Sequence, residues 1–368
     1  MGFVESLIIG GCILSTYTGL LGYIGAKTGM SFDILARKAL RIKGSYIPSA
    51  MISFTQIGWF EVGIAMFAIP ISNYYLGGSK LGEWLLIIVA GACMTASAYF
   101  GITSLTLVSY LAVPAVAIFG TYATIQAVMQ GDTSFVDRFT SNSGTISVIS
   151  GVNLVVGFFI SGGTTTPNFA RFSKTDKAGA ITTAVAFLIG NSLMIIMGGV
   201  AFVCVGGNDI FGVMINLNMF YSALIVLGLN IWTTNDNSLY SAGLGLTNIF
   251  NVDKKLMVLI SGILGTVTSI WPYWNFSQWL SLLSCTLLPC GSVVITAYFM
   301  NSKDYLDTKV SKTIDWYGVT GVILGAVGAV TINWGIPSIN GMVIATSVYF
   351  VGNTLATKIK GKIPSLTV

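Results

Sequence analysis

The sequence contains no histidine, and only 8% of its 368 residues are charged. The first absence excludes a Ser-His-Asp triad, a His-ligated metal and an imidazole proton relay. The second excludes an ordinary soluble domain, in which roughly a quarter of residues are charged. Five cysteines are present, Cys12, Cys93, Cys204, Cys285 and Cys290, with no C-x-x-C pair among them. They read as small buried hydrophobes. No catalytic constellation emerges, so an enzyme is not expected. What the chain does have is apolar bulk: 54% hydrophobic residues, a mean hydropathy of +0.81 and 43 glycines. Such a chain cannot cover itself with polar surface, so lipid must be its solvent. Glycine at this abundance fits helices packed closely within a bilayer.

Eleven apolar runs reach spanning length, near 6–26, 49–76, 83–103, 105–129, 146–166, 180–205, 218–242, 256–274, 277–300, 315–334 and 338–357. They predict an all-α polytopic membrane protein with about eleven transmembrane helices. Basic residues orient it. Lys27, Arg37, Lys38, Arg41 and Lys43 fill the first loop, and further clusters follow the fifth, seventh, ninth and eleventh spans. In an eleven-helix zigzag sixteen of the 18 Lys and Arg fall on one side, and only Lys80 and Arg138 on the other. The crowded side is cytoplasmic by the positive-inside rule. This distribution accounts for the net charge of +5 as an orientation signal, and no nucleic-acid partner is expected. The C-terminus is then inside and residue 1 outside. One more upstream helix would restore the usual N-in, C-in arrangement, so a first transmembrane helix is expected to be missing. The polar stretches 131–145 and 301–314 read as ordinary loops.

Polar residues at membrane depth are costly and face a bundle interior or a cavity. In Thr55–Glu61, Gln56 and Trp59 share a helix face at i,i+3. An amide beside an indole can bond the edge and stack on the face of a planar ligand; it can equally tie two helices together. Glu61 is an ion site, a cavity-lining group or a paired acid. Gly157–Pro167 (GFFISGGTTTP) reads either as a broken helix, whose half-helix ends hold substrate and ions, or as an ordinary helix end. Leu229–Ser238 is the densest polar cluster in any span. Asn230, Thr233 and Thr234 fall at i, i+3 and i+4 and offer hard oxygens to an alkali cation, or else simple interhelical hydrogen bonds. Asp236 points away from that face and reads as a capping or paired group. Trp271–Phe276 (WPYWNF) reads as an interfacial aromatic belt.

Five segments resemble the nucleobase–cation symporters, and within them the cytosine-permease branch. They are LGYIGAKTG from Leu21, QIGWF from Gln56, AMFAIP from Ala65, GNSLM from Gly190 and VLGLNIWTTNDN from Val226. The resemblance implies a leucine-transporter-like inverted-repeat bundle, twelve helices in its full form. Residues 1–130 would be the remainder of the first repeat, 146–300 the second, and 315–357 two additional helices. It implies sodium-coupled uptake of a nucleobase, cytosine foremost, across the bacterial inner membrane by a monomer, with Na+ as coupling ion and no cofactor. Trp59 and Phe159 would stack on the base. Gln56, Ser161 and Asn230 would meet its polar edge, and Asn230, Thr233 and Thr234 would hold sodium. Aromatic faces with amide and hydroxyl donors suit a planar neutral ligand. Two positions depart from the pattern: Phe158 replaces a serine, and Glu61 replaces a small residue. A purine, hydantoin, allantoin or thiamine precursor is therefore the alternative substrate. The absent first helix would normally contribute to the sodium shell, so a truncated inactive remnant is a further alternative.

Overall fold

A computed structural model describes residues 2–130, 147–205, 210–301, 305, 310 and 313–362. Helices form nearly all of it: α1 (Gly2–Thr28), α2 (Phe32–Gly44), α3 (Tyr46–Tyr75), α4 (Lys80–Phe100), α5 (Ile102–Gln130), α6 (Val148–Thr164), α7 (Pro167–Ala170), α8 (Asp176–Val205), α9 (Ile210–Asn216), α10 (Phe220–Phe250), α11 (Lys254–Thr268), α12 (Ile270–Trp274), α13 (Phe276–Met300), α14 (Trp316–Thr331) and α15 (Pro337–Lys362). Each of the eleven predicted spans falls on a helix. Among the described residues seven stretches, in α1, α3, α4, α5, α6–α7, α8 and α15, are long and apolar enough to cross a membrane. The chain starts its helices with side-chain caps. Ser79, Ser147, Thr175, Asp253 and Asp315 each accept a backbone N–H of the following turn. The loop stretch 131–145, and most of 301–314, lies outside the described residues.

Two compact units divide the chain. The first takes Met1–Ile52, Ser147–Leu188 and Ser277–Val368, the second Ser53–Ile146 and Ile189–Phe276. Both draw on each of the stretches 1–130 and 146–300.

In the first unit α1 lies along α6 and α8. Gly22 makes the second contact possible, since a Cβ there would stand 2.4 Å from the Thr183 hydroxyl. The same unit corrects the first loop: residues 32–44 are helical. Phe32, Leu35, Ala36, Ala39 and Leu40 are all buried, at i, i+3, i+4, i+7 and i+8. The density of basic residues hides this amphipathic pattern from a hydropathy scan. Asp33 is buried within it, accepting the Ser49 hydroxyl at 2.6 Å. Tyr305 caps the contact, donating to the Leu35 carbonyl at 3.2 Å.

In the second unit α3 and α10 run antiparallel in a seven-residue register. The Ser53 hydroxyl donates to the Ala242 carbonyl at 3.1 Å, and Asn235 donates to the Phe60 carbonyl at 3.4 Å. A Cβ on Gly228 would touch the Phe67 ring at 3.6 Å. Both helices step by seven residues between these contacts, the repeat of knobs-into-holes packing. Phe60, Ile64, Met94, Leu239 and Val258 fill the core between α3, α4, α10 and α11. The cysteines split by position. Cys204 and Cys290 are buried as expected, whereas Cys12 and Cys93 are exposed on α1 and α4.

Candidate substrate and ion site

On α3, Gln56 is buried and Trp59 half-buried, one turn apart. The Trp59 indole meets the Phe276 ring edge-on, with centroids 5.9 Å apart and planes at 80°. Edge-to-face contact of this kind is a favoured aromatic geometry. Phe276 belongs to the predicted aromatic belt, so one member of that belt supports Trp59. Trp271 and Trp274 are strongly exposed, at 63% and 67%, as interfacial residues are.

On α10, Asn230 and Thr233 are half-buried and Thr234 is exposed. The Thr233 and Thr234 hydroxyls both donate to the Asn230 carbonyl, at 2.9 and 3.0 Å. Each proton is thereby spent on the helix's own backbone, and each oxygen keeps its lone pairs. Such oxygens accept a cation without having to turn a proton away from it. The seven-residue register sets the height of this cluster against α3. It places Thr233 level with Val62, about 4.5 Å of helix rise from Trp59. The structure thus brings Trp59 and the hydroxyls of Thr233 and Thr234 within one helical turn in height.

Phe159 and Ser161 sit on α6 in the first unit, Phe159 half-buried and Ser161 1% exposed. The break predicted over 157–167 occurs at Thr165 and Thr166, so Phe159 and Ser161 lie on continuous helix. Thr164 donates to the Ile160 carbonyl at 2.8 Å, Thr165 to Gly162 at 3.0 Å, and the Thr165 and Thr166 N–H groups go to Ser161 and Gly163. The threonines satisfy the last turn locally, which leaves side chains rather than backbone to contact a ligand.

Two acids within the predicted spans, Glu61 and Asp236, are hydrogen-bonded. The Glu61 carboxylate accepts the Thr268 hydroxyl at 2.6 Å. Asp236 accepts the Ser97 hydroxyl, and Ser97 in turn accepts the Trp232 indole N–H at 2.8 Å.

Asn235 is the residue that sequence reasoning passed over. It is fully buried, donating its amide to the Phe60 carbonyl and, at 3.1 Å, to the Met94 sulfur. Gly63 leaves the space for it, because a Cβ there would lie 2.3 Å from Asn235 Oδ1. The signal was present as Gly228, Asn235 and Ala242, spaced by seven along α10 against Ser53, Phe60 and Phe67. Among the described residues no cluster of three Cys, Asp or Glu could hold a metal ion.

The family model of permeases for cytosine/purines, uracil, thiamine and allantoin matches residues 2–357. This chain belongs to that family. The cytosine permease of Escherichia coli K12 is 42% identical over 325 residues, which are 88% of this chain and 77% of that protein. The hydantoin permease of Microbacterium maritypicum is 23% identical over 333 residues, 81% of this chain and 67% of that one. Among solved structures, the nucleobase-cation-symport-1 family transporter Mhp1, closed with bromovinylhydantoin bound, superposes with a TM-score of 0.79 at 18% identity. The match covers 97% of this chain and 86% of Mhp1. A Na+-coupled sialic acid symporter, substrate-bound and outward-open, gives 0.61 at 13% identity, covering 100% and 91%. The permease is therefore an integral membrane transporter of the leucine-transporter-like fold, not an enzyme.

Proposed function

We propose that this permease takes up a nucleobase, cytosine first, across the bacterial cytoplasmic membrane by sodium-coupled alternating access, with its C-terminus in the cytoplasm. The observation that carries the reading is the nearness of two features on α3 and α10, Trp59 and the Thr233 and Thr234 hydroxyls standing within one turn of height. One is a supported indole beside a buried amide; the other is a pair of hydroxyl oxygens with their protons already spent. Identity of 42% to a cytosine permease supports the substrate. Trp59 and Phe159 stack on the base, while Gln56, Ser161 and Asn230 meet its edge. Thr233, Thr234 and Asn230 bind Na+. Residues 1–130 form the remainder of the first inverted repeat and 146–300 the second, 315–357 adds two helices, and the permease works as a monomer.

Uptake of labelled cytosine by cells expressing the gene tests this, with sodium replaced by choline in a parallel set. Sodium-dependent uptake is expected, and unlabelled cytosine outcompetes uracil, hypoxanthine, allantoin and hydantoins. Sodium-independent uptake removes the ion assignment. The second reading, another planar substrate on the same site, rests on Phe158, which is 38% exposed on α6 beside Phe159. A different winner in the competition panel establishes it.

A further inference from the structure

Helices α4 and α11 cross through a reciprocal pair of small residues. A Cβ on Gly91 would stand 2.4 Å from the Thr266 hydroxyl, and a Cβ on Gly262 would stand 2.2 Å from the Thr95 hydroxyl. The two helices approach closely there. Between them lies an apolar groove of about 470 Å3, within the range of ligand pockets, roughly 300–1,000 Å3. None of the predicted substrate or ion residues lines it. Ile88 and Val267 stand at one end, Tyr99, Phe100 and Leu259 at the other.

Two features mark the Tyr99 end. Lys255 places its ammonium 5.2 Å from the Tyr99 ring centroid, and Lys254 places its own 4.5 Å from that of Tyr240. These lysines open α11, whose N-terminus adds partial positive charge. The carboxylate nearest in sequence, Asp253, is engaged as the helix cap, accepting the Lys255 backbone N–H at 2.8 Å. The charge distribution along the chain puts this end on the cytoplasmic side. From Phe100 to Ile88 the groove follows twelve residues of α4, about 18 Å of rise. One leaflet's hydrocarbon is about 15 Å deep, half the bilayer core. An apolar slot one leaflet deep, with cations at its headgroup end, matches one lipid.

We propose that this groove is a binding site for an anionic phospholipid of the cytoplasmic leaflet. One acyl chain lies between α4 and α11, and the phosphate headgroup sits at Lys254 and Lys255. Bound there, the lipid fills the space beside the Gly91–Thr266 and Gly262–Thr95 crossing.

Native mass spectrometry of the purified permease, titrated with phosphatidylglycerol or phosphatidylcholine of identical chains, tests the site. A lysine beside an anionic lipid is worth about fivefold in affinity, so two give phosphatidylglycerol an advantage of about 25-fold. Lys255→Gln is expected to cut that advantage about fivefold, while Lys358→Gln, in another basic cluster, leaves it unchanged. Ala96→Phe fills the groove and lowers retention of both lipids. Equal retention of the two lipids overturns the proposal, as does retention insensitive to Lys255→Gln and Ala96→Phe. If Ala96→Phe instead shifts a monomer–dimer equilibrium, the groove is a protein interface and the lipid assignment is wrong.

Discussion

Replacing Gly63 with alanine adds a single methyl group, at the point where α3 meets Asn235 of α10. The new Cβ would lie 2.3 Å from Asn235 Oδ1 and 2.9 Å from both its Cγ and Nδ2. An ordinary carbon–oxygen contact is more than 1 Å longer. Asn235 has nowhere to retreat, since it is fully buried and its amide is engaged by Phe60 and Met94. Either the helices part by about 1 Å or the asparagine gives up its bonds. Overpacking a filled site costs roughly 1–3 kcal/mol, and an interhelical hydrogen bond within a membrane is worth about 0.6 kcal/mol on average. Gly63→Ala is thus expected to destabilise the permease by about 2–3 kcal/mol. It also shifts Thr233 and Thr234 relative to Trp59, weakening sodium and substrate coupling together. A double-mutant cycle reads this directly. Asn235→Ala removes the group that Gly63→Ala strikes, so the double variant should be more stable than the sum of the singles by at least 1 kcal/mol. The measurements are thermal unfolding in detergent and the sodium concentration for half-maximal uptake. If Gly63→Ala alone leaves both unchanged, or if the two substitutions simply add, the packing argument fails.

Trp59→Ala removes a stacking face worth on the order of 1–3 kcal/mol, so the KM for the base should rise roughly 5- to 150-fold with the protein still folded; an unchanged KM removes Trp59 from the site. Thr233→Ala or Thr234→Ala should raise the half-saturating sodium concentration about tenfold, while Thr→Ser at either position retains near-normal coupling; equal loss in the serine variants would point to packing rather than ligation. Burial pushes the carboxyl of Asp33, on the amphipathic helix α2, up to about 6, with the Ser49 hydroxyl and Arg37 and Arg171 pulling it partly back. A raised carboxyl means that the fold prefers the protonated form. Stability is therefore highest at low pH and declines as pH rises through the range from the unfolded value to about 6, by on the order of 3 kcal/mol at most. Asp33→Asn should flatten that dependence between about pH 4 and 6.5 in thermal unfolding; a wild-type slope that survives the substitution assigns the effect elsewhere.

The sequence by itself determined the solvent, the helix positions and the orientation signal. Each of these is local or additive. Twenty apolar residues demand a helix in lipid wherever they occur, and the charge count needs no contacts. It also marked Gln56, Trp59, Asn230, Thr233 and Thr234, because a polar group at membrane depth is costly enough to stand out in a run of Leu, Ile and Val. The amphipathic helix α2 escaped, since five basic residues around it lower mean hydropathy below any scan threshold while leaving its i, i+3, i+4 stripe intact. Only the tertiary structure decided what the polar groups do. The hydroxyls of Thr164, Thr165 and Thr166 turn inward to close their own helix, and those of Thr233 and Thr234 turn to one carbonyl. At both sites the bond is the same local one, to a carbonyl three or four residues back in the same helix. Asn235 became visible only when Gly63 was seen across from it, 172 positions away in the chain. Spacing along one helix reveals which residues share a face, but which face meets a partner depends on packing, and no local pattern encodes it.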